Sequence, residues 1–216
     1  NVLYNLDNAY AFNGNTTAFI EMEDGINKYG LAVGLTFIYP TIVKAGFNAG
    51  MLVRYLLEKC KTTDEALSLL KNIPIASQQT LTIADRTGNI VVVECNCEKI
   101  EIIRPTKDGN FVTAANEFNS NLMKQYNNDE VDNWRAEERY LVSYTTLKEN
   151  RNNYSFNLIK DILSGKYGFM CQYDRKTDAD TVWSVIYDIK NNQIFRVEGN
   201  PKRKAFKKDT RLKFKV

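Results

Sequence analysis

The chain has 216 residues, 44% of them hydrophobic, which is enough to bury the core of one large domain. Its 29 basic and 26 acidic side chains leave a formal net charge of +3, so the chain as a whole is not built for a polyanion or a charged membrane surface. It contains no histidine, which excludes every Ser-His or Cys-His pair and any imidazole general base.

In chain order, residues 17–22 and 31–38 are expected as strands joined by "EDGINKYG", with Gly25 and Gly30 supplying positive φ. From Ala45 to Cys60, Phe47, Met51, Leu52, Tyr55 and Leu56 recur at helical spacing. A second helix opens with the capping pattern Thr62-Thr63-Asp64-Glu65 and stops before Pro74. The period then changes. "TLTIADRTGNIVVVEC" is two β-rich runs around Asp85-Arg86-Thr87-Gly88, and "KIEIIR" and "FVTAAN" are expected to extend that sheet. Helical patterns return from Trp134 to Glu149 and from Phe156 to Leu163, after a polar loop "NNDEVDNWRAEE" that is the best candidate for mobility. "TVWSVIYDIKNNQIFRVEG" is a last hairpin turning at Asn191-Asn192. The basic tail "KRKAFKKDTRLKFKV" follows, in which Phe206, Leu212 and Phe214 alternate as in a solvated edge strand; a polyanion-binding arm is the other reading.

Segregated helix pairs and antiparallel hairpins make this an α+β chain, and with four prolines and no repeat or linker, residues 1–216 are expected as one domain. The four cysteines, Cys60, Cys95, Cys97 and Cys171, lack a zinc spacing, and no histidine completes a mixed site, so no metal is expected. Free buried thiols fit a reducing compartment, and a cytoplasmic location is the corresponding expectation. No run approaches the roughly 18 apolar residues of a membrane span.

Amide or ester chemistry without histidine has one well-known solution: the α-amino group of an N-terminal Cys, Ser or Thr takes the nucleophile's proton. The segment Asp24 to Gly34, "DGINKYGLAVG", resembles the "DGMNEKGLAVG" signature of the choloylglycine hydrolase and acyl-CoA:6-aminopenicillanate acyltransferase superfamily, whose members are N-terminal-nucleophile amide hydrolases and acyltransferases. Further segments are similar to that family in the same order: Arg54 to Glu94, "VTAANEF", "KYGFMCQY", "DTVWSVIYD" and "VEGNP". Together they cover most of residues 10–212.

The resemblance implies a four-layer αββα sandwich of antiparallel sheets covered by helix pairs. It also implies hydrolysis or transfer of an acyl group across a linear amide, with a small-molecule N-acyl amide or acyl-CoA-type substrate and no cofactor, nucleic acid or membrane partner. A homo-oligomer is compatible with it. Asn116 matches the family's asparagine that holds substrate and oxyanion; the alternative is a turn-closing residue. Arg139 in "AEERY" matches the arginine of "SxxRY", with a helix-surface ion pair to Glu138 as the alternative. Thr36 falls where bile-salt hydrolases place an Asn oxyanion donor, and a plain strand threonine is the competing reading. Asn27 is a substrate-binding candidate that also suits the turn, and Trp183 suits pocket wall or core.

One departure concerns the nucleophile. The family begins its mature chain with Cys, followed by an Arg-Asn-x-Asp segment, whereas Asn5 and Asp7 in "YNLDNAY" lack the arginine and sit too close to Asp24. No internal cysteine has an α-amino group beside it. The chain, starting at Asn1 and not at Met, is therefore expected to be N-terminally incomplete and to lack its first strands, the nucleophile arising by processing of a longer polypeptide. The alternative is a binding relative that keeps the acyl-amide pocket and has lost the nucleophile.

Overall fold

The computed structural model describes residues 1–107 and 109–210, and Leu212 and Phe214 of the expected tail strand lie outside the described residues. The chain divides into two compact units, one over residues 1–136 and one beginning at Glu137.

The first unit is built on a seven-stranded antiparallel sheet whose strands pair in sequence order. These are β1 (Val2–Tyr4), β2 (Phe12–Asn15), β3 (Asp24–Asn27), β4 (Ala32–Phe37), β5 (Gln79–Ala84), β6 (Ile90–Cys95) and β7 (Ile100–Ile103). Two helices, α1 (Ala49–Lys59) and α2 (Thr63–Leu70), intervene between β4 and β5. Alternation along the strands sends Val33, Leu81, Ile83, Val91 and Val93 into one core with Leu52, Leu56, Leu57, Leu67 and Leu70 of the helices. Complete burial of each such side chain contributes about 1.5–3 kcal/mol.

The expected strand over residues 17–22 is a loop. Thr16 Oγ1 accepts the Ala18 N–H at 3.0 Å, Glu21 N–H reaches Ala18 O at 3.1 Å, and Phe19 adopts φ 53°. The strands lie on either side of this loop, as β2 and β3. The turn also shifts: Asp24 to Asn27 are β3 itself, and the reversal is at Lys28-Tyr29, closed by Gly30 at φ 85°. Gly25 has no positive φ. It is there for space, because a Cβ would come within 2.6 Å of Leu57 Cδ1.

Helix α1 starts at Ala49, four residues after Ala45, where Asn48 Oδ1 caps Met51 N–H at 2.9 Å. Residues before it are held extended, with Phe47 exchanging backbone bonds of 2.9 Å with Pro74 O and Ala76 N. The capping pattern of α2 forms: Thr62 Oγ1 accepts from Glu65 N, and Glu65 reaches back to Lys61 N at 2.7 Å. "KIEIIR" yields β7, but "FVTAAN" does not join the sheet and leaves only an isolated bridge between Ala115 and Glu117. Just beyond it, the buried Glu94 carboxylate accepts the Asn119 and Ser120 N–H groups at 2.6 and 3.1 Å, tying that part of the loop to β6.

The second unit holds α3 (Ala136–Glu149), α4 (Phe156–Leu163) and a three-stranded antiparallel sheet of order β10-β9-β8. Its strands are β8 (Trp183–Asp188), β9 (Gln193–Glu198) and β10 (Lys207–Lys208). The hairpin turns at Asn191-Asn192, with Asn192 at φ 52° and Asp188 accepting from Asn191 N. Phe156 of α4 packs on Phe195 of β9 with ring centroids 4.5 Å apart. The described part of the basic tail is an edge strand, β10, anchored by a buried ion pair between Arg196 and Asp209.

Candidate functional site

A cavity of about 530 Å³ opens in the first unit where β4 ends. Strand alternation turns Val33 into the core and Thr36 away from it, and the register sets Thr36 opposite Thr80 and Thr80 opposite Glu94. Hydroxyls therefore meet across the sheet. The Oγ1 atoms of Thr36 and Thr80 are hydrogen-bonded to each other, and Thr80 is almost fully buried.

Asn116 reaches the same place from the loop after β7. Its Nδ2 donates to Phe37 O at 2.7 Å, which locks the side chain against the last residue of β4, beside Thr36. Both Asn116 and Thr36 line the cavity. A fixed amide and a hydroxyl at a strand end form a donor set suited to a polarised carbonyl or to the oxyanion that follows it.

Three further residues of the lining carry an aromatic ring or a charge, and sequence reasoning missed all of them. Trp134 forms an aromatic wall, with its ring stacked on Tyr39 at 5.4 Å and Tyr39 packed edge-on to Phe37 at 5.2 Å. Trp134 and Arg135 both have positive φ, 55° and 57°, an unusual pair for side chains of this size. A tryptophan inside the polar "NNDEVDNWRAEE" is the signal available in the sequence, but its place at the head of a helical pattern disguises it. Glu21 and Glu23 supply carboxylates. Glu21 lies over the first turn of α1 above Gly50 and accepts from Asn48 Nδ2 at 2.6 Å, while Glu23 accepts from Thr17 Oγ1.

Asn27 lies elsewhere, in the core, and each end of its amide is engaged. Nδ2 donates to Leu57 O at 2.9 Å and Cys60 O at 2.7 Å, while Oδ1 accepts from Tyr29 N at 3.0 Å and Leu31 N at 3.1 Å. It ties the β3–β4 turn to the end of α1. Arg139 on α3 and Trp183 at the start of β8 belong to the second unit. That unit has its own cavity of about 510 Å³, bordered by Lys204, Lys207 and Lys208, and none of the residues singled out from the sequence lines it.

No cysteine lines the Thr36–Asn116 cavity. Cys60, Cys95 and Cys171 are buried and Cys97 is half-buried, all as free thiols. Burial pushes the Cys60 thiol up to about 11 and Cys95 to about 12, and raises Cys171 as well, so these three are protonated packing groups at neutral pH. Among the described residues no cluster of three or more Cys, Asp or Glu is placed to hold a metal ion, and no helix is long and apolar enough to cross a membrane.

The family model described as acyl-coenzyme A:6-aminopenicillanic acid acyl-transferase matches residues 2–203. Among solved structures, the fold is similar to penicillin V acylase from Agrobacterium tumefaciens, with TM-score 0.59 and 15% identity, covering 88% of this chain and 66% of that one. It is also similar to a mutant of conjugated bile acid hydrolase from Clostridium perfringens, with TM-score 0.55 and 15% identity over 88% of this chain and 74% of that one. A Caenorhabditis elegans ortholog of N-acylethanolamine-hydrolyzing acid amidase gives TM-score 0.55 and 17% identity over 88% and 79%. The chain thus spans just under two thirds of the penicillin V acylase. A comparison with curated protein sequences gives no match. At these identities the structures speak for the fold, an α+β arrangement of antiparallel sheets and helix pairs of the N-terminal-nucleophile hydrolase type.

Proposed function

The chain belongs to the acyl-coenzyme A:6-aminopenicillanic acid acyl-transferase family, and from that premise we propose that its Thr36–Asn116 cavity receives a linear N-acyl amide, or an acyl-CoA-type thioester, for hydrolysis or acyl transfer. The observation that carries this reading is the convergence of Asn116 and Thr36, two residues separated by most of the first unit's sequence, on one cavity at the end of β4. A volume of about 530 Å³ falls within the range of small-molecule sites, about 300–1,000 Å³.

In this reading the nucleophile is an N-terminal cysteine outside these 216 residues, generated by processing. Its thiolate attacks the acyl carbon while its own α-amino group holds the proton. Negative charge develops on the carbonyl oxygen, where Asn116 Nδ2 and the Thr36 hydroxyl donate. The C–N bond then breaks, and the amine departs with the proton from the α-ammonium group. Water, or a second amine, takes the acyl group from sulfur. Asn27 acts by fixing the turn; Arg139 and Trp183 belong to the second unit and carry no step here. The 216 residues work as one catalytic domain.

A second reading, a binding protein for acyl amides, is favoured by the lack of any cysteine on the cavity. Intact mass with N-terminal sequencing, followed by mixing with a chromogenic N-acyl anilide, separates the two. Cysteine at the amino terminus and a stoichiometric burst of aniline support catalysis. Saturable binding without any burst supports the binding protein. Neither binding nor release overturns both.

A further inference from the structure

The charge lining the Thr36–Asn116 cavity restricts what can enter it. Among the described residues, its only charged side chains are Glu21 and Glu23; no lysine or arginine lines it. Both carboxylates are satisfied by neutral donors, Asn48 Nδ2 and Thr17 Oγ1, and neither is in an ion pair among the described residues. One countervailing field exists. The N-terminus of α1 reaches the cavity through Asn48, Ala49 and Gly50, and a helix N-terminus carries the equivalent of about +0.5 charge. Against two carboxylates it leaves the cavity negative. A bound carboxylate, sulfonate or phosphate would meet two like charges close by, a repulsion that added salt screens.

The apolar side of the cavity is equally specific. The Trp134 ring is held from behind by Tyr39, which Phe37 in turn buttresses, so its plane is set before any ligand arrives. Two consecutive residues with positive φ place it there. Such a preset ring offers a stacking surface for a flat acyl group at small entropic cost.

We infer that the cavity selects an N-acyl amide with a flat apolar acyl group and a cationic amine half, and discriminates against anionic amine halves. The inference rests on the acyl-amide reading of the cavity and names the substrate class within it.

The test uses three probes sharing a phenylacetyl group and a four-carbon amine half: the monoamides of butane-1,4-diamine (cationic), butylamine (neutral) and 4-aminobutyrate (anionic). Binding to the full chain is measured by calorimetry at low and at high salt. The expected order is cationic, then neutral, then anionic, with at least a tenfold gap between the extremes at low salt that narrows at high salt. Glu23→Gln is expected to shrink the gap several-fold, by weakening the cationic probe and strengthening the anionic one. Trp134→Leu should weaken all three alike. Equal binding of all three, or preference for the anionic probe, overturns this inference while leaving the acyl-amide reading standing. Binding of none of the three, to a protein shown folded by circular dichroism, overturns both.

Discussion

Asn116 Nδ2 donates to the main-chain carbonyl of Phe37 at 2.7 Å, so a loop residue and a strand end far apart in sequence are fixed as one element beside Thr36. The bond sets where the amide points. If that amide also serves a developing oxyanion, Asn116→Ala should lower kcat by about 10²–10³-fold, the loss found when one such donor is removed. Stability should change by only about 1 kcal/mol, the typical net worth of a hydrogen bond such as that to Phe37 O. Steady-state kinetics together with urea unfolding checks both numbers.

Asn27 predicts the opposite pattern. Its four hydrogen bonds are made in the core, at essentially zero exposure, and Asn27→Ala would strand two N–H groups and two carbonyls there. The expected loss is on the order of 3 kcal/mol or more, because each orphaned buried group costs about 1–3 kcal/mol. Denaturant midpoints would show it. Ligand affinity of the fraction that stays folded should be nearly unchanged.

The thiols make a pH prediction. A folded-state value above the ordinary thiol range of about 9 means that the native state holds its proton more tightly than the unfolded chain. Their contribution is therefore fully present below pH 9 and is lost as pH rises through about 11 for Cys60 and about 12 for Cys95. Thermal midpoints should fall across that window, and less so in Cys60→Ala. At pH 8 only roughly one Cys60 in a thousand is thiolate. Mass spectrometry after brief alkylation should find Cys97 modified first and the three buried thiols modified only on unfolding.

The buried pair of Arg196 and Asp209, with side chains 3% and 2% exposed, makes a fourth. Asp209→Ala leaves an uncompensated guanidinium and should cost about 3–5 kcal/mol, whereas the double change Arg196→Met with Asp209→Leu should recover most of it. Urea unfolding midpoints of the single and the double variant, compared, distinguish a charge effect from a general loss of packing.

Periodic segments were legible in the sequence, and aperiodic ones were not. Helix α4, the β5–β6 hairpin and the β8–β9 hairpin follow from spacing and turn residues, and so does the Thr62 cap. The loop at residues 17–22 did not, because Ala18, Phe19 and Ile20 are apolar yet exposed, with Phe19 91% accessible. Its conformation comes from Thr16 and from the positive φ at Phe19, which no pattern of hydrophobicity encodes. "FVTAAN" reads as a strand in isolation. In the fold it makes only the Ala115–Glu117 bridge, with the Asn116 side chain held by Phe37 O and the next residues, Asn119 and Ser120, held by Glu94, distant partners that no local pattern encodes. In the site, Asn116 and Thr36 were found through the resemblance, while Trp134, Glu21 and Glu23 enter the cavity only through tertiary placement.

Each strand of the seven-stranded sheet pairs with the one made just before it, and the only long excursion is the stretch between β4 and β5 that folds into α1 and α2. A topology of nearest-neighbour pairings has low contact order, so little chain entropy is surrendered before each pairing is rewarded. During synthesis the sheet can therefore grow strand by strand behind the ribosome. β4 is the exception. It waits, edge exposed, until the helices and β5 have emerged, which makes that interval the point at which a nascent chain is most open to pairing with a neighbour.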